Sequence, residues 1–359
     1  MIPIQNLYYL LCYAWNRMPE QAELRGMEAT TFHRPLELLA HVLLAGTQRL
    51  LRQGLPVGYS EQVETLPELR GRVLLAPTLA RNLLPQGRAT CAYDTLSANT
   101  PFSQLLLGTL LQLARPRLLP ATLRHNLKHT LRRLPAAVTP LPLSAATLRA
   151  VRRLRPAGLP GFLVNVCELV HLSALPNPEA TSQLRFRDFR RNEQLMAQLF
   201  EQFVRNFYRL EQRQFRVASE TIAWQAEAET TEALALLPTM ITDTSLESPE
   251  RKIILDTKYY AASLRPRYDQ QKLISPHLYQ LYAYLQNQAL QPGQQLEGIL
   301  LYPAAAQTLD VRYTLGGHPV RVVTVDLAQP WADIAADLLG LLENSNSPLG
   351  TAFSGNVQP

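Results

Sequence analysis

Cysteine is scarce in this 359-residue chain. Cys12, Cys91 and Cys167 are odd in number and far apart, which excludes a disulfide framework and a C-x-x-C zinc site and leaves them as small buried hydrophobes. A long apolar run is also missing. The longest, Leu105 to Ala114, is interrupted by Gly108 and Gln112 and is too short to span a bilayer. Gln5 and Asn6 stand where a secretion signal has its apolar core, so the chain is expected to be cytoplasmic, with no membrane partner. The nucleophile elbow G-x-S-x-G, the dinucleotide fingerprint G-x-G-x-x-G and the phosphate loop G-x-x-x-x-G-K-[ST] are absent. Serine-hydrolase, dinucleotide and P-loop readings therefore lack support.

Acidic side chains are thin in one region. Residues 101 to 200 carry 14 Lys and Arg against 4 Asp and Glu, whereas the residues before carry 9 against 8 and those after 12 against 17. The positive field is thus central, with arginine clusters around Arg132, Arg152 and Arg190 that suit either DNA phosphates or the acidic surface of a protein partner. His125 and His129 have the spacing of a helical metal pair. They stand among Arg124, Lys128, Arg132 and Arg133 with no acidic third ligand, so they read as part of a basic helix face.

With 47% apolar residues the chain can bury a large core, and its length suits two domains. Leucines and aromatics at near-helical spacing make the first twenty residues a packed helix, and Pro35 to Leu51 an amphipathic one. Gly58 to Ser97 has the texture of strands and loops, followed by a helix from about Phe102 to Ala114. The Pro-rich stretches Leu134 to Leu143 and Pro156 to Pro160 read as turns around a linker, dividing the chain into 1–158 and 159–359. Asn192 is placed to cap a helix from Glu193 to Arg213. Strands are expected at Arg216 to Trp224, Gln295 to Tyr302 and Arg321 to Asp326, a closing helix at Trp331 to Leu342, and a frayed tail from Glu343.

The chemistry concentrates between Ala233 and Tyr260. Two apolar segments, the first ending at Thr242-Asp243 and the second running from Lys252 to Tyr260, flank a polar break containing Pro249 and read as a hairpin. Strand alternation puts Asp256 and Lys258 on one face and Thr257 on the other. The hairpin would bring Asp243 to the same edge, giving two carboxylates and one ammonium with no His or Cys. Such a set suits Mg²⁺, which takes oxygen ligands and shares its shell with water and substrate phosphate. It also suits phosphodiester hydrolysis, with the lysine orienting water or stabilising developing charge. An ordinary hairpin with a rim ion pair has the same pattern. On the helix-like His277 to Asn287, Gln280 and Tyr284 lie four apart on one face. Glu201 lies about 140° from the apolar stripe of Met196, Leu199, Phe200, Phe203 and Phe207 on an ideal helix, on the expected wet face. Glu220 is likewise expected to face solvent.

The series Asp243, Asp256-Thr257-Lys258, Gln280-x-x-x-Tyr284 resembles the PD-(D/E)xK nuclease superfamily, above all its RecB-like members. Thr242 stands where that superfamily often has Pro. A more specific resemblance runs along most of the chain. IPIQNLYYLLCYAWN at the start, LRGRV, CAYDTLS with Asn99, LFEQFVRNFY and ILDTKYY are similar to the McrC family of McrBC modification-dependent restriction systems. The resemblance implies an α/β (α+β) architecture: a C-terminal PD-(D/E)xK nuclease fold with a mixed sheet flanked by helices, preceded by an N-terminal α+β domain. It implies that the N-terminal part engages a hexameric AAA+ GTPase, McrB, and stimulates its GTP hydrolysis, while the C-terminal part cuts DNA. GTP would be bound by that partner. Asp243 and Asp256 match the family's metal-binding acids, Lys258 its catalytic lysine, and Gln280, Tyr284 and Glu201 are candidates for supporting roles. Two alternatives stay open: a catalytically weak nuclease-like activator of the AAA+ partner, and a free-standing RecB-like repair nuclease.

Overall fold

A computed structural model describes residues 2–19, 30–115, 118–176, 184–259, 264–267, 270–304 and 308–343. Arg117, Tyr260 and the tail beyond Glu343 lie outside them. The chain forms two compact units, one of Met1–Pro19 with Arg190–Pro359, the other of Glu20–Phe189. The division falls at Phe189/Arg190, and not at 158/159 as the proline-rich stretches suggest. The reason is packing: the first helix docks on a helix nearly 200 positions later in the chain, while the helix after the second proline-rich stretch belongs to the preceding bundle. No helix among the described residues is long and apolar enough to cross a membrane.

Helix α1 (Ile4–Ala14) opens the chain. The second unit then begins with α2 (Pro35–Gln53). A three-stranded antiparallel sheet of order β1-β3-β2 follows, built from β1 (Gly58–Leu66), β2 (Arg72–Val73) and β3 (Ala89–Ser97), with the short α3 (Leu75–Ala80) between. Its tight turn places Gly71 at φ 65°, where an added Cβ would meet the Ala92 carbonyl at 2.4 Å. Helices α4 (Pro101–Leu113), α5 (Ala121–Leu131), α6 (Ala145–Arg153) and α7 (Gly158–Ser173) pack with α2 into a bundle. Its core includes Leu39, Leu43, Leu105, Leu110, Leu127 and Leu163, and Cys91 and Cys167 are buried as expected. His125 and His129 are exposed on α5, in keeping with a basic face. A small pair of strands, β4 (Ala174–Pro176) and β5 (Leu184–Phe186), ends the unit.

The first unit resumes with α8 (Glu193–Glu211), whose Asn192 side chain accepts from the Leu195 amide at 3.1 Å, the expected N-cap. Next come β6 (Arg216–Ala218), β7 (Thr221–Ile222), the short α9 (Thr231–Ala235), β8 (Met240–Ile241), β9 (Thr244–Glu247) and β10 (Arg251–Thr257). The expected first strand of the hairpin is therefore shorter than its apolar run: Ala233 is helical and the strand breaks at Thr242-Asp243. The hairpin itself is present as antiparallel β9 and β10. A second hairpin, β11 (Leu264–Arg267) and β12 (Gln270–Leu273), leads to α10 (Ser275–Asn287), then β13 (Gln295–Pro303), β14 (Asp310–Leu315), β15 (His318–Val325) and α11 (Trp331–Gly340).

Six strands form one mixed sheet, order β14-β15-β13-β10-β9-β6, with β10, β13 and β15 parallel at its centre. Central parallel strands are covered on both faces, which explains why β10 and β13 read as continuous apolar runs. Helix α10 crosses over from β10 to β13 and lays Leu281, Tyr284 and Leu285 onto Ile254, Leu300 and Tyr302. Close approach is allowed by Gly298, where a Cβ would press on Leu285 and Leu281 at 3.0 and 3.1 Å. Helix α8 packs against β6, β9 and β10 and also receives α1. The indole of Trp331 stacks on Tyr9 and Tyr13 at 4.7 and 5.2 Å between ring centres, so α1, α8 and α11 share one aromatic core.

Candidate active site

The β9–β10 register pairs Leu255 with Thr244, so one further step sets Asp256 across from Asp243. Asp256 lies at the C-terminal end of the buried β10 and has no exposed surface. Lys258 Nζ sits 2.6 Å from its Oδ2; apart from that ion pair, neither carboxylate oxygen of Asp256 has a hydrogen-bond partner. Burial, reinforced by the neighbouring Asp243 carboxylate and opposed by Lys258, pushes the Asp256 carboxyl up to about 7. Burial works against the Lys258 ammonium too, but Asp256 and Asp243 outweigh it and hold its pKa above the usual lysine value.

Asp243 is fixed from several directions. Its Oδ2 accepts from the backbone N–H of Thr257 at 2.8 Å and from the Thr257 hydroxyl at 2.7 Å. Its carbonyl accepts from Arg205 Nη1 at 2.7 Å. The same nitrogen donates to Glu201 Oε1 at 2.9 Å. Gln194, Gln198 and Glu201 of α8 line a cleft of about 450 Å³ together with Asp243, Thr257 and Lys258.

Glu201 is therefore not on a wet face. It is half-buried, and burial together with the charge on Asp243 raises its pKa. At Glu201 and Arg205 the side of α8 off its apolar stripe meets the loop carrying Asp243, while Gln194 and Gln198 on the same side are exposed at the cleft. Tyr284 Oη accepts from Gln280 at 2.7 Å and donates to the Ile241 carbonyl at 2.8 Å, joining α10 to the strand just before Asp243. Burial raises the Tyr284 pKa, Gln280 opposes it, and Asp256 and Asp243 push it further up, so the phenol lies in the field of the same cluster. Glu220 is not solvent-facing but pairs with the buried Lys252 at 2.7 Å.

The structure thus gathers Asp243, Asp256, Lys258, Glu201, Gln280 and Tyr284 around one strand end. Two participants escape a reading by alternation: Thr257, assigned to the other face, and Arg205. Thr257 stays paired with Leu301 of β13, and its amide and hydroxyl meet the Asp243 carboxylate at the break before β9. Arg205 was findable as the residue four after Glu201.

Among the described residues no three His, Cys, Asp or Glu side chains form a ready cation cage. Two carboxylates, one with a buried and unpartnered oxygen, fit a hard cation that completes its shell with water and phosphate. With Asp243, Asp256 and Glu201 ionised against Lys258 and Arg205, the cleft carries one net negative charge, which a divalent cation would reverse.

Residues 4–303 match the family model described as McrBC 5-methylcytosine restriction system component. An Escherichia coli (strain K12) protein, the type IV methyl-directed restriction enzyme EcoKMcrBC, is 30% identical over 343 residues, covering 96% of this chain and 98% of that one. A solved half-complex from the tetradecameric assembly of Thermococcus gammatolerans McrB AAA+ hexamers with bound McrC contains a chain of like fold. Its TM-score is 0.56 at 13% identity, over 95% of this chain and 76% of that chain. By the extent and identity of these matches, the chain belongs to the McrC family of McrBC 5-methylcytosine restriction system components.

Proposed function

We propose that this chain is the Mg²⁺-dependent endodeoxyribonuclease subunit of a GTP-driven restriction complex acting on methylcytosine-containing DNA, and that it works in the cytoplasm with a hexameric McrB-like AAA+ GTPase. The observation that carries this reading is the fully buried Asp256, paired with Lys258 yet left with an unpartnered oxygen, across from an immobilised Asp243. Asp243 and Asp256 would hold the cation, which neutralises charge on the scissile phosphate and lowers the pKa of attacking water. Lys258 supplies a fixed ammonium at the cleft wall, where it attracts the phosphodiester and stabilises charge developing on it. Thr257 keeps the Asp243 carboxylate from rotating away. Tyr284 and Gln280 hold the preceding backbone, and Glu201 adds negative charge beside Asp243.

The second unit suits the partner-engaging role. It exposes Tyr59, Val63 and Leu96 on its small sheet and Leu75 and Leu79 on α3, apolar surface of the kind that marks a protein interface. The chain has no phosphate loop of its own, so GTP falls to the partner.

The test mixes the full chain with its GTPase, GTP, Mg²⁺ and modified plasmid, comparing native protein with Asp256→Ala. Cleavage by native protein alone, with GTP hydrolysis stimulated equally by both, supports the two-part reading. If neither cuts and both stimulate hydrolysis, the chain is a nuclease-like activator.

A further inference from the structure

The main chain leaves β8 at Ile241 and runs through Thr242 and Asp243 to β9, and each of these three carbonyls accepts a bond from a side chain of a different segment. Tyr284 Oη donates to Ile241 at 2.8 Å, Ser219 Oγ to Thr242 at 2.6 Å, and Arg205 Nη1 to Asp243 at 2.7 Å. Thr242 and Asp243 interrupt the strand, so their carbonyls are not held by a continuous sheet ladder. Of the three donors, Arg205 acts on the residue that carries the carboxylate. Its side chain is 19% exposed, and the same Nη1 also binds Glu201.

Resting on the nuclease reading above, we infer that Arg205 is a positioning residue for the metal site: it ties α8 to the Asp243 main chain and holds Glu201 in the cleft beside it. Two anchors then define the Asp243 carboxylate, Thr257 at the side chain and Arg205 at the backbone. An arginine suits the position because its charge is permanent and its stem stiffens when two acceptors are bridged. Without it, Glu201 would lose its ion-pair partner beside Asp243, and the Asp243 carbonyl would lose its donor. Both changes move or weaken an oxygen ligand without removing one. The effect therefore falls on the cation concentration the site requires, as for groups that orient a metal's ligands, where losses of about 10- to 100-fold are typical.

The test uses the full chain with Arg205→Met, which keeps the stem and removes every donor, Arg205→Lys, which restores a cation, and Asp256→Ala. Binding of Mn²⁺ to the chain alone is followed by electron paramagnetic resonance, and Mg²⁺ dependence of plasmid cleavage is measured with the GTPase partner. Arg205→Met is expected to need about 10-fold more Mn²⁺ and Mg²⁺ for half-saturation, Arg205→Lys to recover most of that loss, and both to melt within a few degrees of native in EDTA. Half-saturation of Arg205→Met at the native concentrations overturns the inference, as does a loss that Arg205→Lys leaves untouched. If Arg205→Met misfolds, Arg205→Gln, which keeps a donor and removes the charge, takes its place: a raised half-saturation that Arg205→Lys restores upholds the inference, and native half-saturation overturns it. If Asp256→Ala binds Mn²⁺ as native protein does, it is the metal-site reading that fails.

Discussion

Thr257 gives both of its donors to one oxygen of Asp243, the backbone N–H at 2.8 Å and the hydroxyl at 2.7 Å. This double bond pattern links the end of β10 to the break before β9, so the two carboxylates of the proposed metal site are tied through a single residue. Thr257→Val keeps the shape and loses one of the donors. We expect plasmid cleavage with the partner GTPase to fall about 10-fold while Thr257→Ser stays near native. Equal rates for native and valine proteins would show that the amide alone suffices.

Lys258 is the cation that faces the buried Asp256 directly, at 2.6 Å. Removing one preorganised charge from a reacting phosphate typically costs about 10²- to 10³-fold in rate. Lys258→Ala should lose cleavage by that order while GTP hydrolysis by the partner is still stimulated. Loss of both activities together would point to a folding defect and remove support for a role in chemistry.

Much of this site could be read from residue order. Hairpin periodicity brings Asp243, Asp256 and Lys258 to one edge and the i, i+4 rule puts Gln280 and Tyr284 on one helix face, because both are local properties; that this helix face joins the strand end was implied only by the family resemblance. The helices at Pro35, Phe102, Glu193, Ser275 and Trp331 and the strands at Gln295 and Arg321 were legible for the same reason. Glu201 was misplaced because periodicity locates an apolar stripe but not what packs beside it. The division into units was hidden more deeply. Nothing local tells that α1 belongs with α8 and α11, since Asn6 bonds carbonyls at Leu327 and Gln329 from more than 300 positions away. Proline-rich stretches mark turns, and here the turns lie within the second unit.

Glu37 gives a pH test of that unit. It is the third residue of α2, buried, and reaches back to the His33 amide at 2.9 Å and to Arg34 at 3.0 Å, a capping arrangement. Burial alone would raise its pKa, but the His33 and Arg34 bonds together hold the carboxyl below the ordinary value. A depressed folded pKa means stability that is present above the unfolded value of about 4.3 and lost as pH falls through the folded one. Glu37→Gln should therefore destabilise by about 1 kcal/mol at pH 7, with the difference from native shrinking below roughly pH 4. Urea unfolding of both proteins at each pH measures it, and a pH-independent difference would count against the carboxylate.

The last prediction concerns how α1 is held. Asn206 of α8 is buried and its amide donates to the carbonyls of Tyr13 and Ala14 at 3.0 Å each, closing the C-terminal end of α1. Asn206→Ala takes the side-chain donor from the Ala14 carbonyl, while the Tyr13 carbonyl keeps the Asn16 amide at 2.9 Å, at a cost of about 1–3 kcal/mol. Asn206→Asp replaces the donor by an acceptor and should be worse, whereas Ala in place of the exposed Gln5 should change stability by less than about 0.5 kcal/mol. Because α1 rests on the same helix that carries Glu201 and Arg205, hydrogen exchange in α8 should rise in the Asn206 variants along with exchange in α1. Native-like unfolding of Asn206→Ala would assign the docking of α1 to its other contacts, the Asn6 bonds and the rings of Tyr13, Phe203 and Trp331, and would separate the anchoring of the first helix from the order of the cleft.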